Sequence, residues 1–356
     1  MTALYIHIPF CKNICPYCDF YKERWNSDHE SRFVDAVIHE FDHYQIQQFN
    51  SLFLGGGTPS AMQPALLDRL LGHLRLDPKI EKTIEMNPES VSDDTLSVMQ
   101  KHHINRISLG VQSFVPEELH FLGRTHTPQT IETSIEKIKS AGFKNFNLDF
   151  IYALPLMSLD SLEYSLSKAM SFEPTHVSTY SLSIEPGTPF HRRKVKKANS
   201  ETDLTQSKFI RKFLKKNGFN HYEVSAYAKK GYECRHNLAY WRLLPYIGLG
   251  PSGASYYQNR FYQNKANIHD YIANPIPETP DNFGAMSDFL MTNLRLLDGF
   301  LLSDFSRRFQ KDFLSEFAKP LKKLFDLKLL SHKNDRVKVT IKGLYLLDRI
   351  LYELNV

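Results

Sequence analysis

From Ala3 to about Val224 the chain alternates short apolar runs with amphipathic stretches, and this rhythm limits the possible folds more than any other feature. Ala3 to Pro9 sets Leu4, Ile6 and Ile8 against Tyr5, His7 and Pro9, the period of a half-buried strand. Ser31 to Tyr44 places Phe33, Val34, Val37, Ile38, Phe41 and Tyr44 three or four residues apart, the period of an amphipathic helix. Further strands are predicted near Ser51–Leu54, Lys82–Met86, Arg106–Val111, Asn145–Ile151, His176–Ser183 and His221–Val224. Helices fall between them, near Ala65–Leu74, Asp93–His102, Pro128–Ala141, Leu159–Ser171 and Ser200–Lys216. Strands that alternate with helices build parallel βαβ units, so an α/β fold is expected, with its chemistry at the C-terminal strand ends.

Polar residues gather at those ends. Gly55–Gly56–Gly57–Thr58 follows the second strand, Glu85 and Asn87 mark the third, Gln112 the fourth and Asp149 the fifth. Beyond about Asn282 the pattern changes to helices near Phe283–Leu294, Ser303–Phe313 and Phe317–Leu327, a hairpin at Lys333–Asp335 and a last helix Ile341–Leu354. Three helices and a hairpin predict a winged-helix-like α+β domain. Pro275, Pro277 and Pro280 place a linker between Tyr257 and Thr279. The expected domains are therefore 1–225, a connecting segment 226–280, and 281–356.

With 42% hydrophobic residues the chain can bury a sizeable core. The 44 Lys and Arg against 39 Asp and Glu leave a mild +5, and nucleic acid is not expected as a partner. No apolar run approaches the ~18 to 20 residues of a membrane span, and residues 1–10 lack the marks of a signal peptide. Three of the four cysteines crowd into positions 11–18, which points to a metal centre in a reducing, cytoplasmic setting rather than to crosslinks.

Cys11, Cys15 and Cys18 form C-x3-C-x2-C directly after the first strand. Three thiolates are one short of a closed zinc site, whereas a four-iron cube held by three cysteines keeps one iron open to a small molecule. A zinc site with a remote fourth ligand, Cys234 or a histidine, is the alternative. The glycine turn could offer backbone amides to a ligand, Glu85 could accept from hydroxyls or an ammonium, and Arg124 could clamp a carboxylate. Each of these, taken singly, also reads as ordinary structure.

Together with Tyr5-Ile-His-Ile-Pro-Phe ahead of the triad, these segments resemble the radical S-adenosylmethionine superfamily. The resemblance implies a partial (β/α)6 barrel and a 4Fe-4S cluster on Cys11, Cys15 and Cys18. It also implies S-adenosylmethionine bound to the open iron and cleavable by one electron to a 5′-deoxyadenosyl radical. The residues it assigns to that cofactor are Tyr5, Tyr17, Gly56, Gly57, Thr58, Glu85, Gln112, Arg124 and Asp149.

Tyr180–Pro189, Tyr222–Ala228 and the H-N-x-x-Y-W run at His236–Trp241 are similar to the coproporphyrinogen-dehydrogenase-like branch, and within it to the haem chaperones. Phe20 stands where the dehydrogenases carry a further cysteine, and Tyr5 lies almost at the N-terminus where they carry an extension. Leu156 and Met157 depart from the glycine and glutamine usual in this branch. The resemblance makes haem the cargo and acceptor haemoproteins, including those of a respiratory chain, the partners. His236 is then the candidate axial ligand, with Tyr240 and Trp241 beside the porphyrin and Cys234 as an alternative thiolate. A hydrogen-bonded core histidine is the competing reading of His236. The basic run Arg192–Lys197 is a solvated surface, a peripheral contact with anionic lipid, or a site for RNA phosphates. Two other activities are alternatives: oxidative decarboxylation of coproporphyrinogen III, and, from the winged-helix-like domain and the basic run, RNA modification by a radical enzyme.

Overall fold

Six of the predicted strands form and pair in parallel, in chain order: β1 (Thr2–Ile8), β2 (Phe49–Gly56), β3 (Glu81–Met86), β4 (Arg106–Gln112), β5 (Phe146–Tyr152) and β6 (His176–Ser181). These are seen in a computed structural model that describes residues 2–46, 48–277 and 286–356. The connecting helices are α1 (Ser27–Tyr44), α2 (Pro64–Leu74), α3 (Asp93–Lys101), α4 (Pro116–Phe121), α5 (Pro128–Ser140), α6 (Leu159–Ser171) and, beyond β6, α7 (Ser200–Lys216). Their starts are encoded locally. Thr127 with Thr130, and Ser158 with Ser161, form reciprocal capping boxes at α5 and α6, each stabilising its helix by about 1 kcal/mol.

β1 is buried on both faces rather than half-buried, because it lies inside the sheet. Its neighbour on one side is β2, and on the other a strand the sequence pattern does not reveal, Tyr246–Leu249, which pairs with it in parallel. Naming the remaining strands β7 (Asn220–Glu223), β8 (Ala226–Ala228), β9 (Tyr246–Leu249), β10 (Ala254–Tyr257) and β11 (Arg260–Gln263), the order is β11-β10-β9-β1-β2-β3-β4-β5-β6-β8-β7. The parallel barrel portion is thus flanked by antiparallel strands at both edges. The run near His221–Val224 is therefore not another parallel unit. It turns back through a two-residue connection and reaches β6 only through β8.

The expected linker is also largely structured. Residues 254–263 are β10 and β11, and Ile268–Ala273 is a helix whose Tyr271 is almost wholly buried. Three groups of this region converge on the buried carboxylate of Glu40 in α1. The Tyr271 hydroxyl donates at 2.6 Å, the Asn264 amide at 2.8 Å and the Gly250 N–H at 3.0 Å. An ionisable group is buried only when its oxygens are satisfied, so this knot packs the segment against the barrel. Thr279, Pro280 and Phe283 lie outside the described residues.

The C-terminal domain has its own core, in which Phe289, Phe300, Phe305 and Phe313 meet with ring centroids 5.1 to 6.3 Å apart. Helices Met286–Asn293, Leu302–Phe309 and Ala318–Asp326 pack on strands Phe300–Leu301, Arg336–Val339 and Leu330–Lys333, in that sheet order. Two helices are shorter than expected. The second stops at Phe309, where Gln310 turns left-handed, and Asp312 caps a new turn. The last is split into Ile341–Leu344 and Leu347–Glu353. A Cβ on Gly343 would meet the Leu329 carbonyl at 1.9 Å, so the hairpin passes directly against this helix. The domain docks through Arg308, which donates to the Leu243 carbonyl at 3.1 Å, and through the Val224 N–H, which donates to Arg295 O at 3.0 Å. Among the described residues no helix is long and apolar enough to cross a membrane.

Candidate functional site

The interior face of the barrel opens into a cavity of about 870 Å³ that reaches from the cysteine loop to the helix α8 (Arg235–Trp241). Strand geometry decides which residues face it. With side chains alternating, Tyr5 and His7 of β1 point inward while Leu4, Ile6 and Ile8 are fully buried in the core. Arg106, Ser108, Gly110 and Gln112 of β4 all line the cavity for the same reason.

Cys11, Cys15 and Cys18 line one end together, all as free thiols. The Thr58 hydroxyl donates to Cys11 Sγ at 3.8 Å and Arg124 Nη1 to Cys15 Sγ at 3.5 Å. Burial pushes the Cys11 thiol up to about 11 and raises Cys18 as well, so without a metal these sulfurs keep their protons. Among the described residues no three His, Cys, Asp or Glu side chains gather closely enough to hold a single metal ion. Cys234 does not line the cavity, and its thiol donates to Glu81 at the opposite, N-terminal end of β3. A zinc ion completed by Cys234 therefore does not fit. A donor set of thiols alone, spaced wider than one ion requires and met by N–H and O–H donors, fits an iron–sulfur cluster.

The glycine turn brings a correction. Its amides are not free for a ligand: Gly56 N–H donates to Glu85 Oε2 at 3.0 Å, Gly57 N–H to Ile8 O at 2.8 Å and Thr58 N–H to Phe10 O at 2.8 Å. A Cβ on Gly57 would sit 2.7 Å from the Pro9 carbonyl, and Gly56 has φ +107° with the His7 ring 2.6 Å from where its Cβ would be. These glycines let the strand end lie flush against the start of the cysteine loop.

Glu85 and Asp149 line the interior from β3 and β5, the two neighbours of β4. Burial, with the charge of Asp149 second, pushes Glu85 up to about 7, and burial also raises Asp149 despite donors from Asn147 at 2.8 Å and Ser108 at 2.9 Å. Gln112 sits at a bulge of β4 with φ +68° and lines the same wall. Arg124 reaches back from the loop after α4, donating to Asn87 Oδ1 at 3.1 Å and Gly110 O at 3.4 Å besides Cys15. Only part of its guanidinium is left for a carboxylate, and its Nε is buried without a partner. Tyr17 lines the cavity between Cys15 and Cys18 and packs on Phe190 at 6.3 Å. Phe190 N–H donates to Pro16 O at 3.0 Å, so the exposed basic run Arg192–Lys197 begins beside the cysteine loop.

The far end is closed by α8, whose first amides are capped by a carboxylate distant in sequence. Arg235 N–H and His236 N–H donate to Glu81 at 3.1 and 3.0 Å. His236 is fully buried, with Nδ1 on the Ser51 hydroxyl at 2.9 Å and Nε2 on the Tyr240 hydroxyl at 2.9 Å, and its ring lies 5.2 Å from Phe53. Burial, helped by the Arg106 charge, pushes its pKa down to about 3, so it is neutral. It touches the cavity, but both ring nitrogens are engaged within the chain. Trp241 is not among the residues that line the cavity. Among the lining residues that escape sequence reasoning are Tyr246, on an unrecognised strand, and Arg106. The period-two run R-x-S-x-G-x-Q of β4 holds the signal for Arg106.

A parallel barrel with three thiols at the C-terminal end of its first strand defines a radical S-adenosylmethionine protein, and residues 5–169 match the Radical SAM superfamily while residues 284–346 match the HemN C-terminal domain. The chain is 33% identical to heme chaperone HemW of Lactococcus lactis over 96% of its own length and 94% of the relative's, and 29% identical to HemW of Bacillus subtilis over 96% of both. Against HemW of Escherichia coli the identity is 38%, over 70% of this chain and 68% of that one. It belongs to the HemW family. Its fold is also that of Escherichia coli coproporphyrinogen III oxidase, HemN, with a TM-score of 0.86, 22% identity and coverage of 100% and 90%.

Proposed function

We propose that the chain is a haem chaperone, which takes up haem and passes it to acceptor haemoproteins in the cytoplasm. The observation that carries this reading is similarity to curated haem chaperones along nearly the full length of both chains. Phe20, exposed at the cavity mouth where the dehydrogenases carry a cysteine, supports it over coproporphyrinogen decarboxylation. Four unpaired thiols suit a reducing compartment.

Cys11, Cys15 and Cys18 would hold the cluster, with Thr58 and Arg124 donating to two of the sulfurs. When bound, the cluster supplies an open iron and one electron to S-adenosylmethionine. Arg124 and Asn87 position the carboxylate side of that cofactor, Glu85 accepts from its hydroxyls or ammonium, and Tyr5, Tyr17, Gln112 and Asp149 line its place. Gly56, Gly57 and Thr58 act by fixing the loop, not by donating amides.

Tyr5, Phe53, Tyr180, Tyr240 and Tyr246 give the cavity flat aromatic faces that suit a porphyrin. His236 serves as iron ligand once the Tyr240 hydroxyl leaves Nε2, its low basicity keeping the imidazole neutral for coordination. The test is a haem titration of anaerobically reconstituted protein beside His236→Ala. Loss of affinity and a shifted Soret band are expected of the variant, and an unchanged band would remove His236 from the haem site. Failure of the wild type to bind haem would remove the chaperone reading itself.

A further inference from the structure

Arg106 is among the largest side chains that are fully buried in this protein, 2% exposed, and it lines the cavity. Its Nε is buried with no hydrogen-bond partner, and Glu81 and Asp149 act on its charge only from a distance, with no ion pair formed to either. A buried guanidinium has five donors in a planar fork, and leaving such a charge without acceptors is strongly unfavourable. The neighbouring carboxylates are committed elsewhere. Glu81 accepts from the Arg235 and His236 amides and the Cys234 thiol, Asp149 from Ser108 and Asn147, and Glu85 from Gly56. Chain groups do not complete this arginine, and the cavity opens beside it.

Its place in the bore separates it from the cofactor end. Arg106 pairs in register with Thr83 near the start of β3, and its charge is felt by His236 and His176. Arg124, by contrast, is bonded to Cys15. Tyr5, Phe53 and Tyr240 line the same cavity and suit a flat ligand, and the fork of Arg106 matches a carboxylate through two parallel hydrogen bonds.

We propose that Arg106 is a binding residue that anchors a carboxylate of a planar aromatic ligand in the bore, which on the haem reading above is a porphyrin propionate. Glu85 and Asp149, both raised toward the neutral acid by burial, oppose such a carboxylate less than their number implies.

The experiment compares iron protoporphyrin IX with its dimethyl ester, on the reconstituted full chain and on Arg106→Met and Arg106→Lys. Wild type should bind the free acid about ten- to a hundredfold more tightly than the ester. Arg106→Met should lower free-acid affinity to the ester level and leave ester and S-adenosylmethionine affinities unchanged, while Arg106→Lys recovers part of the preference. Equal affinity of wild type for acid and ester overturns the inference without use of any variant. So does an Arg106→Met variant that weakens both porphyrins alike, or that keeps the full preference. Wild type that binds neither porphyrin removes the haem reading and this inference together, a result distinct from loss of the acid preference alone.

Discussion

The knot around Glu40 predicts a pH-dependent stability defect for Tyr271→Phe. The substitution removes one hydroxyl and keeps the ring, which packs 6.2 Å from Phe33. The lost hydroxyl donates to Glu40 Oε2 at 2.6 Å and accepts the Gly250 N–H at 3.2 Å, while that amide and Asn264 keep their own bonds to the carboxylate. Burial pushes Glu40 up to about 7 from an ordinary 4.5, and the Tyr271 hydroxyl pulls the other way. Because the folded pKa is raised, the stability linked to protonated Glu40 is complete below about 4.5 and is lost as pH rises through about 7. Removing the donor raises that pKa further, so the variant loses more and goes on losing to higher pH. At about pH 8.5 the defect is that of a charge-assisted hydrogen bond, about 1.5–3 kcal/mol, and at about pH 5.5 that of a neutral one, about 1 kcal/mol. Urea unfolding of both proteins at the two pH values measures the difference. A defect of equal size at both would show that Glu40 does not carry the effect.

Gly57→Ala, whose Cβ would lie 2.7 Å from the Pro9 carbonyl, should destabilise by about 1–3 kcal/mol and lower the iron content after reconstitution, whereas Gly72→Ala in α2, with 3.6 Å to the His102 ring, should stabilise by about 0.5–1 kcal/mol; thermal melts of both decide. Arg124→Met removes a cation and a donor from Cys15, so redox titration of the reconstituted cluster should give a lower reduction potential, and an unchanged one would deny the contact. His236 has a folded pKa pushed down to about 3, so its contribution is full above the ordinary 6.5 and is lost as pH falls toward 3. At about pH 5 unfolding should therefore take up nearly one proton more in wild type than in His236→Gln, and equal uptake would show that the imidazole is not held neutral.

What could be read from the sequence follows the range of the interactions. β1 to β6 and their helices show in periodicity because each buries a face set by residues two, three or four apart. β9 does not, since Tyr246–Leu249 is four residues between Pro245 and Gly250, and only its pairing with β1 makes it a strand. The prolines at 275 and 277 suggest a linker, yet the preceding helix is held by Glu40, more than 200 positions away in sequence. In the site, the cysteines, Glu85, Gln112, Arg124 and Asp149 are legible and do line one cavity. The glycine turn is legible as a motif but misleading as a donor set, because its amides are taken by Glu85 of β3, Ile8 of β1 and Phe10 beyond it. Arg106 is legible as a cavity-facing position, from its two-residue spacing to Ser108, Gly110 and Gln112, but its lack of a partner at Nε is not, because that depends on which distant groups surround it.

The bonds from Gly57 N–H to Ile8 O and from Thr58 N–H to Phe10 O fasten the loop that bears Cys11 to the barrel. Glu23 N–H and Trp25 N–H, bonded to Pro9 O and Cys11 O at 2.8 and 2.9 Å, hold the other side. Cys11 is thus held by backbone bonds and burial, whereas Cys15 and Cys18 lie on the more exposed arc. Such a protein differs from a zinc finger, which gathers its fold around the ion. With backbone bonds of its own on both sides, the Cys11 arm owes its course to the barrel and not to a metal alone.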